Sequence, residues 1–185
     1  GRLRQFNQFG VEFFGNRNIL SDLEVILLAD NFLNKIGIRK KLRLEINSLG
    51  NKESRGKYIE SLKEFLNKKK SHLSEESLRR LEKNPLRILD SKNSKDLEIV
   101  KECPKINSFF DKESSDFFDG ITKGLKQLGI TFELNSNLVR GLDYYNHTAF
   151  EYKTFEEKSQ NTILAGGRYD LSLIHISEPT RLWHI

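Results

Sequence analysis

The apolar and polar positions divide the chain into stretches of period two and stretches of helical spacing. Residues 1–15, GRLRQFNQFGVEFFG, alternate, with Phe9, Val11 and Phe13 on one face and Phe6, Gln8, Gly10 and Glu12 on the other. That alternation predicts a strand. From Ser21 to Ile36 the apolar residues Val25, Leu28, Ala29, Phe32, Leu33 and Ile36 fall at helical spacing. Ser21 and Glu24 have the S-x-x-E spacing of a capping box, and Gly37 stands where a glycine ends a helix. Leu42, Leu44 and Ile46 return to alternation and predict a strand that closes at LEINSLG. Between Asn51 and about Lys112 charge dominates, with helices predicted near 52–69, 74–83 and 94–101 and breaks at Pro85 and Pro104. Ser115 to Leu128 predicts another amphipathic helix, striped by Phe118, Ile121, Leu125 and Leu128. Strands are expected at Ile130–Leu134, Leu138–Tyr145, Thr148–Lys153 and 162–170. The pattern gives strands and helices in a main unit, residues 1–50 and 113–170, interrupted by a small helical insertion at 51–112.

The chemistry concentrates in LVRGLDYY, residues 138–145. As a strand it directs Leu138, Arg140, Leu142 and Tyr144 one way and Val139, Gly141, Asp143 and Tyr145 the other. An arginine among apolar positions is costly to bury unless an anion meets it. Gly141 leaves room for close approach, and the tyrosines offer flat walls tipped with hydroxyls. These are the elements of a pocket for a small molecule with an anionic group. The same spacing suits an ordinary strand whose Arg140 pairs with Asp143 or Glu151. On the face of the first strand, Phe6, Gln8, Gly10 and Glu12 suit a site floor: a ring to stack on, an amide, an open position and a carboxylate. The adjacent Gly166 and Gly167 in TILAGGRYD suit either a close backbone approach or a simple turn.

Composition narrows the classes. Hydrophobic residues make up 37% and charged residues 31% of the 185, as in a soluble globular protein. The net charge of +5 and pI of about 9.2 allow an anionic partner without requiring one. The basic run Lys68–Lys70 and the pair Arg79, Arg80 suit either a solvated face or phosphate contacts. Cys103 is the single cysteine, which excludes an internal disulfide and makes the cytoplasm the default location. No apolar run reaches the ~18 residues of a membrane span. With His175 and His184 set aside in the expected non-native tail at 171–185, His72 and His147 alone do not make a metal cluster, and no P-loop pattern occurs.

Three segments together resemble one family. GRLRQFNQFGVEFFG resembles the second half of motif 2 of the histidyl-tRNA synthetases, LVRGLDYYNHTAFE their first histidine-specific motif, and AGGRYD their second. LEINSLG and NPLRILDSK resemble the connecting segments, so the likeness covers residues 1–170 in order. It implies an α+β class II synthetase-like fold, a mostly antiparallel sheet flanked by helices. It implies ATP-dependent activation of histidine with Mg²⁺, transfer to tRNA(His), and a homodimeric full-length parent. The implied histidine-binding residues are Gln8, Glu12, Tyr144, Tyr145, Gly167 and Tyr169. Glu12 and Tyr145 would bracket the imidazole, and Gly166 would help close the pocket. Arg2 and Phe6 would serve ATP, and Arg140 would bind the reacting carboxylate and the α-phosphate as the catalytic residue.

The likeness is incomplete. The segment carrying another ATP arginine, motif 1 and motif 3 are missing, and the absence of methionine suggests an internal fragment. After Asp170 the family has glycine where Leu171 stands. Residues 171–181, LSLIHISEPTR, look like translated sequencing adapter, which makes 171–185 an expected non-native tail. An alternative of similar fold is the histidine-binding regulatory subunit of ATP phosphoribosyltransferase. The 51–112 insertion and the arginine motif speak against that alternative.

Overall fold

A computed structural model describes residues 5, 7–140, 144–156 and 161–169. Five α-helices and four strands occur among them, in an α+β arrangement. The helices are α1 (Ile19–Lys35), α2 (Lys52–Lys68), α3 (Glu75–Lys83), α4 (Ser94–Glu102) and α5 (Lys112–Gln127). The strands are β1 (Leu42–Ser48), β2 (Glu133–Leu134), β3 (Tyr145–Thr154) and β4 (Thr162–Tyr169), ordered β2-β1-β3-β4. β1 pairs antiparallel with β3, and β3 with β4; only the two-residue β2 runs parallel to β1. The expected mostly antiparallel sheet flanked by helices is therefore present.

One face of the sheet meets α1 and α5. Leu42, Leu44 and Ile46 of β1 and Phe150 and Tyr152 of β3 are buried against Leu23, Ile26, Ala29 and Leu33 of α1 and Ile121 and Leu125 of α5. Burying each such aliphatic side chain is worth roughly 1.5–3 kcal/mol over leaving it exposed. The two helices approach closely because Gly124 lies on Leu23, where an added Cβ would sit 2.4 Å from Cδ1. Both end alike. At Gly37 (φ 76°) and Gly129 (φ 70°) the chain turns left-handed. The amides of Ile38 and Ile130 then bond back to the carbonyls of Leu33 and Leu125, the hydrogen bonding of a glycine-capped terminus.

A second cluster gathers α2, α3 and α4 around Tyr58, Leu62, Leu66, Leu81, Ile88, Val100 and Ile106. Each of these helices starts on a side-chain cap. Asn51 accepts from the Ser54 amide, Ser74 from Ser77 and Asn93 from Lys95, and each bond satisfies an amide the helix leaves open. Asp96 is fully buried at the centre. It accepts from the Ser74 amide (2.9 Å) and from the hydroxyls of Ser74 (2.7 Å), Ser77 (2.7 Å) and Ser91 (2.6 Å). Burial raises its pKa, but these hydrogen bonds outweigh that and hold it below the usual carboxylate range.

Several expectations are corrected. Residues 7–15 are not a strand; Phe9, at 73% exposure, stacks on Phe32 at 5.6 Å. Alternation makes a strand only where a neighbour supplies hydrogen bonds, and none among the described residues does. α1 begins two residues before Ser21, on the Asn18 cap, so Ser21 and Glu24 do not form its capping box. Its buried stripe is Leu23, Ile26, Ala29 and Leu33, while Leu28, Phe32 and Ile36 are exposed. Two apolar stripes lie side by side on this helix, and the one facing Gly124 is the one covered. The strand expected at 130–134 is reduced to β2, because Ile130 is drawn into the core by the preceding helix cap. Residues 138–140 do not extend β3; the Leu138 amide bonds to Asn135 in a turn. Gly1–Arg4, Phe6, Gly141–Asp143 and the proposed tail at 171–185 lie outside the described residues.

Candidate functional site

The glycine pair in β4 sets the geometry of both sheet faces. An added Cβ on Gly166 would come within 2.6 Å of the Phe150 ring, on the helical side. On Gly167 it would meet the Thr148 carbonyl at 2.7 Å and the Tyr145 ring at 3.0 Å. Neighbouring strand residues face opposite ways, so each glycine admits an aromatic ring on its own face. The close-approach reading of this pair holds.

Tyr145, directly across from Tyr169 in the β3–β4 register, stacks with Tyr144 at 4.8 Å. Tyr169 meets the two rings edge-on at 5.8 and 6.2 Å. Arg140 lies with its guanidinium 5.3 Å from the centroid of Tyr145, within cation–π range. Strict alternation would have sent Arg140 and Tyr145 to opposite faces, and Tyr144 away from Tyr145. They converge instead because the chain leaves the strand pattern before Tyr145.

Arg140 Nη1 donates to Glu151 Oε1 at 2.9 Å. That is one of the two ion pairs its spacing allowed. Its Nε is buried, without a hydrogen-bond partner among the described residues. Glu151 belongs to a charged row on the face opposite α1 and α5. Its Oε2 accepts from Thr162 at 3.1 Å and lies 3.2 Å from Lys153 Nζ. Lys153 donates to Glu45 at 2.9 Å, and Glu45 also receives Asn135 at 2.6 Å. Burial alone would raise the pKa of Glu45 and lower that of Lys153. Their mutual hydrogen bond and attraction outweigh this, so Glu45 lies below and Lys153 above its ordinary value.

Between α1, α5 and β4, a cleft of about 640 Å³ is lined by Glu12, Asp22, Phe117, His147, Arg168 and Tyr169, among others. Arg168 pairs with Asp22 at 2.7 Å, and Thr148 also donates to Asp22. His147 sits in a bulge between Asn146 and Ala149 with φ 43°, its ring 4.7 Å from Phe117. Burial and the nearby Arg168 cation hold its pKa below the ordinary histidine value. Cys103 is buried, and burial pushes its thiol up to about 11, which keeps it out of thiolate chemistry.

Of the residues singled out in the sequence, Arg140, Tyr144, Tyr145, Gly167 and Tyr169 come together. Glu12 shares the cleft with Gly167 and Tyr169, whereas Gln8 is exposed outside it. Arg2 and Phe6 lie outside the described residues. Sequence reasoning missed the charged row and the His147 bulge. A signal for the row is present: Arg43 and Glu45 alternate with Leu42, Leu44 and Ile46, and Glu151 and Lys153 flank Tyr152, so the charged positions of each strand fall on one face.

A family model described as histidyl-tRNA synthetase matches residues 1–178. A histidine–tRNA ligase from Wolbachia pipientis subsp. Culex pipiens is 51% identical over 170 residues, 92% of this chain and 42% of that protein. One from Streptococcus pneumoniae (strain CGSP14) is 50% identical over 170 residues, 92% of this chain and 39% of the relative. The crystal structure of apo S. aureus histidyl-tRNA synthetase superposes with a TM-score of 0.64 at 31% identity, covering 86% of this chain and 38% of that one. The chain thus spans about two fifths of the length of the relatives it matches.

Proposed function

The chain belongs to the histidyl-tRNA synthetase family, and on that premise we propose that it is part of the class II catalytic domain of a histidine–tRNA ligase. The substrates are histidine, ATP and tRNA(His). The observation that carries this reading is the seat at Arg140: a guanidinium against Tyr145, beside Tyr144 and Tyr169, with the Tyr145 ring packed on Gly167. Relatives at about 50% identity bear the ligase name, which favours this reading over the regulatory subunit.

In the proposed reaction a histidine carboxylate oxygen attacks the α-phosphorus of ATP in line, and pyrophosphate leaves. A hydroxyl at the tRNA end then attacks the acyl carbon, and AMP leaves. No covalent enzyme intermediate is needed, so the residues act by positioning and by stabilising developing charge. Arg140 binds the reacting carboxylate and the α-phosphate, for which a planar fork is suited. Glu12 and Tyr145 read the imidazole; a site with paired polar groups rejects analogues lacking the matching N–H by roughly 10⁴ or more. Tyr144, Gly166, Gly167 and Tyr169 close the pocket, and Gln8 meets the amino and carboxylate end. Arg2 serves the ATP phosphates and Phe6 the adenine. Mg²⁺ enters as the counter-ion of the ATP substrate. Among the described residues no group of three or more His, Cys, Asp or Glu side chains that could hold a metal ion occurs.

Residues 51–112, with their own core and basic surface, are assigned to the tRNA and not to the amino acid. The full-length protein is assigned to the cytoplasm as a homodimer. The test is amino-acid-dependent ATP–pyrophosphate exchange by a full-length protein carrying this sequence. Histidine should support exchange alone among the standard amino acids. Glu12→Ala should weaken histidine by about 1.5–3 kcal/mol and leave ATP nearly unchanged. Exchange with another amino acid, or equal weakening of both ligands, would contradict the assignment.

A further inference from the structure

The charged row behind Arg140 is more ordered than an ion pair requires. Glu45 of β1 and Glu151 of β3 are directly opposite in register, as are Arg43 and Lys153 one step along. Like charges directly opposite on adjacent strands repel. Here Lys153 Nζ sits between the two carboxylates, 2.9 Å from Glu45 and 3.2 Å from Glu151. Thr162 holds the same oxygen of Glu151 from β4. With one oxygen fixed by two strands, the other oxygen receives Arg140 Nη1 at 2.9 Å. Arg140 is thereby gripped at one nitrogen by Glu151 and across its plane by Tyr145. A guanidinium has five N–H donors, and this grip uses one of them. The Nε is buried, so the donors left to meet a ligand are those of the terminal nitrogens, in the plane this grip fixes.

We infer that Glu151 is a positioning residue for Arg140, itself locked by Lys153 and Thr162, and that it sets the plane in which the guanidinium meets the reacting phosphate. The inference rests on the proposed role of Arg140. Glu151 reaches the reaction only through that guanidinium, and a misplacement of about 1 Å at such a group can cost about 10²-fold in rate.

The test is single-turnover adenylation by the full-length ligase. Glu151→Gln keeps size and an acceptor but loses the charge; the rate should fall about 10–100-fold, with histidine KM nearly unchanged. Glu151→Asp retains the carboxylate and should recover part of the loss, which a purely volumetric role would not produce. In an Arg140→Ala background Glu151→Gln should have no further effect, because the group it positions is gone. Equal slowing in both backgrounds would make Glu151 structural and overturn the inference. A slow Arg140→Ala beside a silent Glu151→Gln would overturn the inference alone. A silent Arg140→Ala would overturn both it and the reading beneath it.

Discussion

Gly166 in β4 packs against the ring of Phe150 in β3, with room for a hydrogen and not for a methyl group. Phe150 is buried between the sheet and the helices and has little freedom to retreat. Gly166→Ala should therefore destabilise the β3–β4 pair by about 1–3 kcal/mol, as overpacking does. Amide hydrogen exchange of β3 and β4 in the folded protein would report it. Unchanged protection would mean that the ring moves aside freely.

Asp96 holds the α2–α4 cluster through four hydrogen bonds from three serines. Asp96→Ala leaves those donors without their charged acceptor and should cost about 1.5–3 kcal/mol or more. The pH dependence has a definite sign. The folded pKa lies below the unfolded one, so the contribution is complete above the unfolded value of about 3.9 and is lost as pH falls through the folded value. Hydrogen exchange of α2–α4 should loosen at acid pH in the parent, and Asp96→Asn should abolish that part of the dependence. An identical acid profile in both would contradict it.

The helical segment carries the assignment to tRNA. Removing residues 52–110 from a full-length ligase should raise KM for tRNA(His) and leave histidyl-adenylate formation largely unchanged, since the apolar core of the sheet lies elsewhere. Steady-state charging compared with pyrophosphate exchange separates the two. An equal fall of both in a folded variant would contradict the assignment.

Much of the fold was legible because local chemistry and burial agreed. Leu42, Leu44 and Ile46 alternate inward as their period requires, and Gly37 ends α1 where its position indicates. The Gly166–Gly167 pair was readable as a close approach, although the rings it receives come from β3, beyond the reach of local pattern. Other features depend on tertiary neighbours. On α1 the sequence offers two adjacent apolar stripes, and the sheet and α5 that cover one of them select between the two. Residues 7–15 have the alternation of a strand without a pairing partner among the described residues. At Arg140, spacing offered an anionic ligand, Asp143 or Glu151. The answer involves β3 and β4 together, and a Glu151 grip on Nη1 remains compatible with a ligand on the remaining donors of the terminal nitrogens.

The central claim is that Arg140 stabilises the transition state of histidine adenylation. Removing a preorganised donor from developing charge typically costs about 10²–10³ in rate. Single-turnover formation of histidyl-adenylate, measured on a folded full-length ligase, tests this most directly. Arg140→Ala should slow that step by about 10²–10³, Arg140→Lys by less because only the fork is lost, and histidine KM should change far less. An unchanged adenylation rate in Arg140→Ala would reduce Arg140 to the ion-pair partner of Glu151 and contradict the account at its centre.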